Sequence, residues 1–390
     1  MRIAQVAPPV ESVPPTRYGG TERVVSTLTE ELVRRGHDVT LFASGDSHTT
    51  ARLVPTVERA LWHRSPAYED LAPFWAMTLG AVWDQMDQFD VIHSHLDYFG
   101  FPMARACRPT AVTTLHGRLD LPQLEPVYRA FGDVPLVSIS QTQRKPAPHA
   151  NWVGNVYHGI DMDQFTCRAG AGNYLAFLGR ISPEKGLDVA IRVARRAGYS
   201  IKIAAREPLR ERDDSNARRD ADYYQYVIQP LLREPGVEMI GQVGGRDKDT
   251  LLREAAALLF PIQWPEPFGL VMIEALACGT PVVAFRNGSV PEVIDDGLTG
   301  WIVDTEDDMV AALDRLGELD RTRCRAEAEK HFSSQVMAEA YEAIYLRLIR
   351  QRQVHAGRQR LLSDAGARPH FPRAAVALAG AKRERTSATF

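Results

Sequence analysis

Two glutamates bracket the start of a helix predicted in the second half of the sequence. Glu266 precedes this helix and Glu274 lies within it, with seven residues between them. The amides of Phe268, Gly269 and Leu270 would form its first turn, where free N–H groups and the helix dipole attract an anion. Carboxylates beside an anion site suit a ligand that also offers hydroxyl groups. A sugar nucleotide offers both, a diphosphate for the amides and the hydroxyls of ribose and hexose for the carboxylates.

The residues around the two glutamates predict how they are held. Pro265 and Pro267 favour extended backbone before the helix, because proline fixes its own φ and restricts the residue before it. The apolar run from Leu270 to Ala277 is followed by Gly279 as a stop signal, and residues 282–285 are typical of a short strand. The pattern therefore predicts a loop, a helix and a buried strand. It also fits a plain buried α/β element whose two glutamates are solvated or ion-paired.

Two cations form a second candidate group. Arg180 and Lys185 lie five positions apart in the segment FLGRISPEKGLD, on a loop that enters a predicted helix. A guanidinium can bind two phosphate oxygens at once, and an ammonium supplies a compact positive charge. Together they could neutralise a diphosphate that gains charge as it leaves. The alternative is a pair of exposed cations that are ion-paired with Glu184 and Asp188.

Alternating strand and helix patterns must position these groups. Residues 2–7 predict a buried strand, a loop ending in Gly19 and Gly20 follows, and a helix then runs to a stop at Gly36. Similar units continue to about residue 160, and a second series begins after the turn-rich residues 159–172. The pattern predicts an α/β fold with parallel, doubly wound sheets. Ligands of such sheets bind at the carboxyl ends of the strands, so the cleft should lie between the two series.

The segment PFGLVMIEALACGTPVVA, with its two glutamates, resembles the E-x7-E signature of retaining glycosyltransferases of family 4, which have the GT-B fold. The resemblance spans about residues 1–350. It implies two Rossmann-like domains that face a central cleft. Residues 1–165 would form the acceptor-side domain and residues 172–333 the nucleotide-sugar domain. Residues 334–350 would form a helix that crosses back to the first domain, and residues 351–390 are expected to be a basic, mobile tail.

The resemblance also implies roles for single residues. Arg180 and Lys185 would neutralise the leaving diphosphate, Glu266 would orient the donor sugar, and Glu274 would hold the ribose hydroxyls. His116, in the segment TLHG just past a predicted strand, matches the family's histidine that contacts the donor sugar, and a satisfied loop histidine is the alternative. The remaining donor-binding positions would act largely through the backbone, and they are Gly19, Gly20, Val243, Phe268, Gly269 and Leu270.

Three further motifs are weaker. His93 and His95 follow another predicted strand and are expected to face the acceptor. Residues 287–292, NGSVPE, depart from the family's commoner GGxPE, which leaves the donor contacts of this loop open. Asp161 and Asp163 spell D-x-D, the metal motif of the other large glycosyltransferase fold, but in a connector they are better interpreted as turn residues with Asp caps. No metal site is expected.

The resemblance implies a retaining, metal-independent transferase that moves a hexose from a nucleoside-diphosphate sugar to a hydroxyl of a small molecule or glycan. The segments YGGTERVV and LFASGDS resemble a subgroup that includes antibiotic-oligosaccharide and pterin glucosyltransferases, which favours UDP-glucose as the donor. Two alternatives stay open. One is a sugar-nucleotide epimerase of the same fold, and the other is a non-catalytic nucleotide-sugar-binding protein.

Composition excludes several other classes. The 46 basic and 49 acidic residues give a net charge of −3, which argues against a nucleic-acid binder. Four cysteines lie far apart, so neither a disulfide framework nor a cysteine metal site is predicted. No apolar run approaches the ~20 residues of a membrane span, although peripheral association stays open. Without a leader-like apolar segment at its start, the chain is expected to be a cytoplasmic enzyme.

Overall fold

A computed structural model of the protein describes residues 1–16, 19–63, 70–170, 172–208 and 215–366. The chain divides into two compact units, residues 1–349 and residues 350–390. The first unit contains two parallel sheets with helices packed on them, so the predicted α/β class is confirmed. Within the described residues, no helix is both long and apolar enough to cross a membrane.

The N-terminal sheet has seven described strands in the order β3-β2-β1-β4-β5-β6-β7, and all its pairings are parallel. The order reverses between β1 and β4, which is the switch point where doubly wound sheets bind ligands. The elements are β1 (Arg2–Val6), α1 (Gly20–Arg34), β2 (Asp38–Ser44), β3 (Arg52–Val57), α2 (Ala72–Trp83), β4 (Val91–Ser94), α3 (Phe101–Ala106), β5 (Thr110–Thr114), α4 (Glu125–Ala130), β6 (Leu136–Ser138) and β7 (Trp152–Asn155).

The C-terminal sheet repeats this winding with six described strands in the order β10-β9-β8-β11-β12-β13, also parallel. Its switch point lies between β8 and β11. The elements are β8 (Tyr174–Leu178), α5 (Leu187–Arg196), β9 (Ser200–Ala204), α6 (Ser215–Tyr223), a π-helical turn (Tyr224–Ile228), α7 (Gln229–Leu231), β10 (Val237–Gly241), α8 (Gly245–Arg253), β11 (Ala257–Phe260), α9 (Leu270–Ala277), β12 (Val282–Phe285), α10 (Val290–Val293), β13 (Gly300–Val303), α11 (Glu306–Asp314) and α12 (Arg321–Phe332).

Apolar spacing explains how these elements pack. In α1, Val24, Leu28 and Leu32 recur every four residues and are all buried on the sheet. Strands β4 and β5 are buried along their whole length, as expected for parallel strands covered on both faces. Buried apolar residues cover the faces of both sheets, and the ends of their strands are left to build a site.

The last helix differs from its prediction. Helix α13 begins at Ser334 as expected, but it continues to Gly366, beyond the predicted end at residue 350. Tyr341 and Tyr345 of this helix are fully buried in the core of the N-terminal sheet, together with Ile3. The first part of the predicted tail is thus helical, and residues 367–390 lie outside the described residues. Two further elements were not predicted. One is strand β3, whose apolar pattern is too short to predict an element, and the other is helix α12.

Candidate active site

A cleft of about 570 Å³ opens where the carboxyl ends of the two sets of strands meet. Its walls come from both sheets. All of the residues proposed as catalytic or donor-binding line it, namely Gly19, Gly20, His116, Arg180, Lys185, Val243, Glu266, Phe268, Gly269, Leu270 and Glu274. Their convergence places the predicted phosphate, sugar and ribose contacts within reach of one ligand.

The start of α9 depends on a glycine. Gly269 has a left-handed backbone with φ of 78°, and a Cβ there would lie 2.8 Å from Cε of Met272. Only glycine adopts this turn without strain, and the turn leads directly into the helix. The first-turn amides of an α-helix have no carbonyl within the helix to accept their hydrogens. Gly269, Leu270 and Val271 line the cleft, so the predicted anion site would face it.

The glycine loop of the N-terminal sheet approaches α9 from the other wall. A Cβ on Gly20 would lie 3.7 Å from Cδ1 of Leu270, the first residue of α9. A Cβ on Gly19 would lie 2.8 Å from Cβ of Pro15. Gly19 therefore allows the loop to pack on itself, and Gly20 brings backbone close to the helix that presents the amides.

The cation Lys185 is bound to one of the signature carboxylates. Its Nζ lies 2.5 Å from Oε2 of Glu266, and Nε1 of Trp264 donates to the same oxygen at 2.8 Å. Both charged side chains are mostly buried, with exposed fractions of 17% and 13%. The carboxylate is thus fixed by two donors beside the start of α9.

Arg180 is ion-paired with Glu184, and its Nε lies 3.6 Å from Oδ2 of Asp220 in α6. The alternative interpretation paired the two cations with Glu184 and Asp188, and the pair with Glu184 is present. Asp188 instead accepts a hydrogen bond from the hydroxyl of Tyr223 at 2.6 Å. Helix α6 therefore braces the loop that carries Arg180. Because the Arg180 side chain is 46% exposed, a diphosphate can still reach it.

Glu274 forms a buried ion pair with Lys248 of α8. The two side chains are 4% and 7% exposed. Burial lowers the pKa of Lys248, while the adjacent carboxylate of Glu274 opposes that shift. The helix α9 is buried from Val271 to Ala277, which explains why its only carboxylate requires a partner.

His116 lies on the N-terminal wall beyond β5. Its Nε2 is 2.8 Å from Nδ1 of His95, and its backbone amide lies 3.4 Å from Oδ1 of Asp97. Burial lowers the pKa of His116 to about 3, so the imidazole is neutral. Burial also raises the pKa of Asp97 to about 6. Asp97 is the only non-glycine residue of the described chain with positive φ, at 48°, which is typical of a strained functional loop.

His93 and His95 were expected to face the acceptor, and this expectation is wrong. The two rings are 0% and 2% exposed and lie behind His116. Their nitrogens are hydrogen-bonded to protein groups, among them Thr114 and Gln5. His93 is part of β4 and His95 follows it directly, and the depth of that strand in the sheet directs both rings inward.

The NGSVPE loop supports the cleft through its own contacts. The Asn287 side chain donates to the carbonyl of Ile262 at 2.8 Å, and the Ser289 hydroxyl donates to the carbonyl of Phe268 at 2.7 Å. Gly288 has φ of 55°, and a Cβ there would lie 2.3 Å from the backbone of Glu266. The contacts of the NGSVPE segment thus fix the loop that carries Glu266.

The D-x-D segment lies outside the cleft lining. The Asp161 carboxylate caps a short turn by accepting from the amide of Asp163 at 3.1 Å. The interpretation as a capped turn is confirmed. Across the described ranges, no group of three or more His, Cys, Asp or Glu side chains is arranged to hold a metal ion.

Several cleft residues were not predicted. Lys248 looks like an ordinary polar residue of a helix in the sequence, and Trp264 lies three residues before the signature segment. Trp62 and Trp75 add aromatic surface to the N-terminal wall. The ring of Trp75 stacks on Phe99, with centroids 4.8 Å apart and planes at 2°. The aromatic content of α2, APFWAMTLGAVW, was the available signal for this wall.

Two family models match most of the two-sheet unit. The model described as Glycosyltransferase Family 4 matches residues 18–148, and the model described as Glycosyl transferases group 1 matches residues 164–331. The chain is a family 4 glycosyltransferase.

Curated relatives agree with this assignment. A D-inositol 3-phosphate glycosyltransferase of Saccharomonospora viridis is 27% identical over 77% of this chain and 80% of its own. The enzyme of the same name from Mycolicibacterium smegmatis is 27% identical over 84% of this chain and 86% of its own. The chain is similar to these proteins along most of its length.

Solved structures show that this family 4 glycosyltransferase has the GT-B fold. AviGT4, a glycosyltransferase involved in avilamycin A biosynthesis, superposes with a TM-score of 0.65 at 24% identity, covering 89% of this chain and 98% of its own. Anabaena HepE in complex with UDP-glucose superposes with a TM-score of 0.66 at 16% identity, covering 88% and 99%. At these identities the similarity concerns the fold alone.

Proposed function

We propose that this glycosyltransferase transfers a hexose from a nucleoside-diphosphate sugar, with UDP-glucose as the preferred donor, to a hydroxyl acceptor. We further propose that the transfer retains the anomeric configuration and needs no divalent metal. Residues 172–333 would bind the donor, and residues 1–165 would supply the acceptor side.

One observation carries the proposal. Arg180, Lys185 and the first-turn amides of α9 line one cleft, so three kinds of positive group converge where a diphosphate would lie. Preorganised donors of this kind stabilise charge that develops on a leaving group. They would neutralise the charge on the leaving diphosphate, as a divalent cation does in other transferases, which supports metal independence.

The position of Glu266 supports retention without a covalent intermediate. Double displacement needs a nucleophile on the face of the sugar opposite the leaving group. Glu266 is bound to Lys185, on the diphosphate side, so its carboxylate would hold sugar hydroxyls instead. The bond between the anomeric carbon and the phosphate oxygen would break, and the acceptor oxygen would bond to that carbon from the same face. The acceptor's proton would pass to the departing phosphate, while His116 would stabilise positive charge on the ring.

UDP-glucose is favoured by the sequence segments that resemble glucosyltransferases, and it is also the ligand bound to Anabaena HepE, which shares this fold. The curated relatives are named for D-inositol 3-phosphate, which makes this compound one candidate acceptor for a screen. Trp62 and Trp75 in the acceptor wall favour an acceptor that presents one apolar ring face.

A donor screen followed by product analysis tests the proposal. UDP-, GDP- and ADP-glucose are compared by thermal shift on exhaustively chelated protein, and UDP-glucose is expected to raise Tm most. The product made with a responding acceptor is then examined by NMR, which should show the α configuration of the donor. A β-configured product, or activity that returns only when Mg²⁺ or Mn²⁺ is added, would overturn the proposed mechanism.

A further inference from the structure

A line of buried hydrogen bonds connects the cleft histidine with the last helix. His95 Nδ1 lies 2.8 Å from His116 Nε2, and His95 Nε2 lies 2.8 Å from Oε1 of Gln5. The amide nitrogen of Gln5 donates to the hydroxyl of Tyr345 in α13 at 3.3 Å. Gln5, His95 and Tyr345 are at most 2% exposed. Because water does not reach them, protein groups alone determine where each proton lies.

The amide oxygen of Gln5 determines the polarity of this line. An amide oxygen only accepts, so His95 Nε2 must carry a proton and donate it. The Nδ1 of a neutral His95 then accepts, and His116 Nε2 must donate to it. Burial lowers the pKa of His95 well below its usual value and lowers that of His116 to about 3, which agrees with two neutral rings. His116 is therefore the Nε2–H tautomer, and its Nδ1 carries a lone pair.

The far end of the line accommodates this orientation of the Gln5 amide. Since the Tyr345 hydroxyl accepts from Gln5, its own hydrogen can be donated to His93 Nδ1, 2.7 Å away. His93 Nε2 lies 2.7 Å from Oγ1 of Thr114, which is 2.9 Å from the hydroxyl of Tyr341. Turning the Gln5 amide over would reverse both histidine bonds and move the proton of His116 to Nδ1. The orientation of one buried amide and the tautomer of His116 are thus coupled.

The Nδ1 atom of His116 has no protein partner. It is buried and makes no hydrogen bond with any group in the described part of the chain. His116 is nevertheless one of the residues that line the cleft, and its ring packs between the ring of His158, with centroids 5.2 Å apart, and that of His95. A buried acceptor without a donor is costly, and a ligand hydroxyl that donates to it removes that cost.

We propose that Gln5 and His95 are positioning residues for His116, held by Tyr345 of α13, and that they present the Nδ1 lone pair of His116 to a hydroxyl of the donor sugar. This inference rests on the proposed use of a sugar donor in this cleft. It adds to that function a role for Gln5 of β1 and Tyr345 of α13, which determine the tautomer of His116 although neither lines the cleft.

The test combines histidine-selective ¹⁵N NMR with donor kinetics. Long-range ¹H–¹⁵N spectra identify the tautomer of His116, whose signal is assigned by its loss in His116→Asn. Wild type should show a protonated Nε2 and a bare Nδ1 at neutral pH. Gln5→Met keeps the length of the buried side chain but removes its acceptor oxygen, so the His116 pattern should become mixed or reversed. His95→Asn offers an amide oxygen near the position of Nδ1 and should keep the wild-type pattern.

Kinetics and a matched control separate this role from a structural one. In Gln5→Met, kcat/KM for the donor should fall about tenfold, while the affinity for free UDP, which lacks the sugar, should change less than about twofold. Thr113→Val is the control, because Thr113 is fully buried on β5 and its hydroxyl has no described partner. Its tautomer pattern and kcat/KM should match wild type.

Each outcome decides the proposal. An unchanged His116 tautomer in a folded Gln5→Met protein would overturn it, and so would an altered tautomer with unchanged donor kinetics. If Gln5→Met does not fold, Tyr345→Phe removes only one hydroxyl from the line and should also give a mixed pattern, and a wild-type pattern there would count against the proposal. Absence of turnover with every donor would contradict the proposed function, whereas the NMR result would still report on the positioning residues.

Discussion

Nζ of Lys185 and Oε2 of Glu266 are 2.5 Å apart in the cleft, so a cation proposed for the diphosphate is bound to a carboxylate proposed for the sugar. Trp264 holds the same oxygen from another side. When a donor arrives, its diphosphate must compete for the lysine, and the carboxylate becomes free to accept sugar hydroxyls. The pair therefore links phosphate binding to orientation of the sugar.

Lys185→Ala should lower kcat more than it lowers the affinity for UDP. Charge on the diphosphate increases toward the transition state, so the lysine contributes most there. Loss of one such group typically costs about 10²–10³ in kcat. Steady-state kinetics and UDP calorimetry measure the two effects. Lys330→Ala, on the exposed surface of α12, is the control and should resemble wild type. A loss confined to UDP affinity would show that Lys185 binds only the ground state.

The buried pair of Glu274 and Lys248 allows stability to be separated from ligand binding. Lys248→Met alone leaves the Glu274 carboxylate buried and unpaired, which typically costs about 3–5 kcal/mol of unfolding free energy. The double variant Lys248→Met/Glu274→Gln removes both charges and should recover most of that loss.

The affinity for UDP should nevertheless remain reduced in the double variant. A carboxylate hydrogen-bonded to ribose hydroxyls contributes about 1.5–3 kcal/mol, and an amide replaces it poorly. Denaturant unfolding and calorimetry on the same preparations provide both values. Wild-type UDP affinity in the double variant would refute the assignment of Glu274 to the ribose.

Much of this arrangement could be predicted from the sequence because its signals are local. Glycines and prolines mark the turns, apolar runs mark the buried strands, and strand ends in a parallel sheet meet at one edge. His116, Arg180 and Glu266 each follow a strand, β5, β8 and β11, and the structure brings all three into one cleft. The resemblance to family 4 supplied the pairing of these groups, which composition and periodicity alone do not give.

The remaining features depend on packing between distant segments. Lys248 meets Glu274 only because α8 and α9 lie side by side, and no local pattern of GRDKDTLLR indicates that its lysine is buried. His95 is directed away from the acceptor by the depth of β4, which a strand pattern does not reveal. The continuation of α13 beyond residue 350 was missed because residues 351–366 have weak apolar periodicity, although the backbone there is helical.

Glu22 gives a prediction for pH dependence. It lies at the start of α1, is 5% exposed, and burial raises its pKa from 4.5 to about 7. Between these values the folded protein binds a proton that the unfolded chain releases, so the contribution of Glu22 to stability decreases as pH rises from about 4.5 to about 7 and is constant above.

Glu22→Gln should remove this contribution and stabilise the protein at pH 8 relative to wild type, by on the order of 1–3 kcal/mol. Unfolding is followed at several pH values, and the difference between variant and wild type isolates Glu22 from other titrating groups. Glu238→Gln, whose side chain is 60% exposed, is the control. A difference between Glu22→Gln and wild type that is constant from pH 4 to pH 8 would contradict the raised pKa.

Trp75→Ala should weaken binding of the acceptor without affecting binding of the nucleotide. The indole lines the N-terminal wall and is kept in place by stacking on Phe99. Loss of an aromatic contact of this kind should raise the acceptor KM about tenfold. Trp83→Ala is the matched control, because Trp83 ends the same helix, is 44% exposed and does not line the cleft. Equal effects of the two substitutions on the acceptor KM would exclude Trp75 from the acceptor site.

Glu292 directly joins elements that follow strands of the two sheets. Its Oε2 accepts from the amide of Gln141 at 2.7 Å, and its Oε1 accepts from the amide of Thr142 at 2.8 Å. The hydroxyl of Tyr157 also donates to Oε2, at 3.1 Å. Glu292 belongs to α10, which connects β12 and β13 of the C-terminal sheet, whereas Gln141 and Thr142 follow β6 of the N-terminal sheet. One carboxylate therefore holds together elements that must separate if the two domains open and close around the donor.

Glu292→Gln should loosen this contact, because an amide has one acceptor oxygen and no charge. A hydrogen bond to a charged group contributes about 1.5–3 kcal/mol, so protection of the Gln141 and Thr142 amides from hydrogen exchange should fall about 10- to 100-fold. The radius of gyration of the ligand-free variant should exceed that of wild type. Saturating UDP should bring the two values together, since the bound nucleotide supplies contacts to both walls.

Glu318→Gln, whose side chain is 54% exposed, is the control and should leave both measurements unchanged. If exchange increases while the ligand-free radius of gyration stays at the wild-type value, Glu292 only caps the turn at Gln141, and other contacts keep the cleft closed.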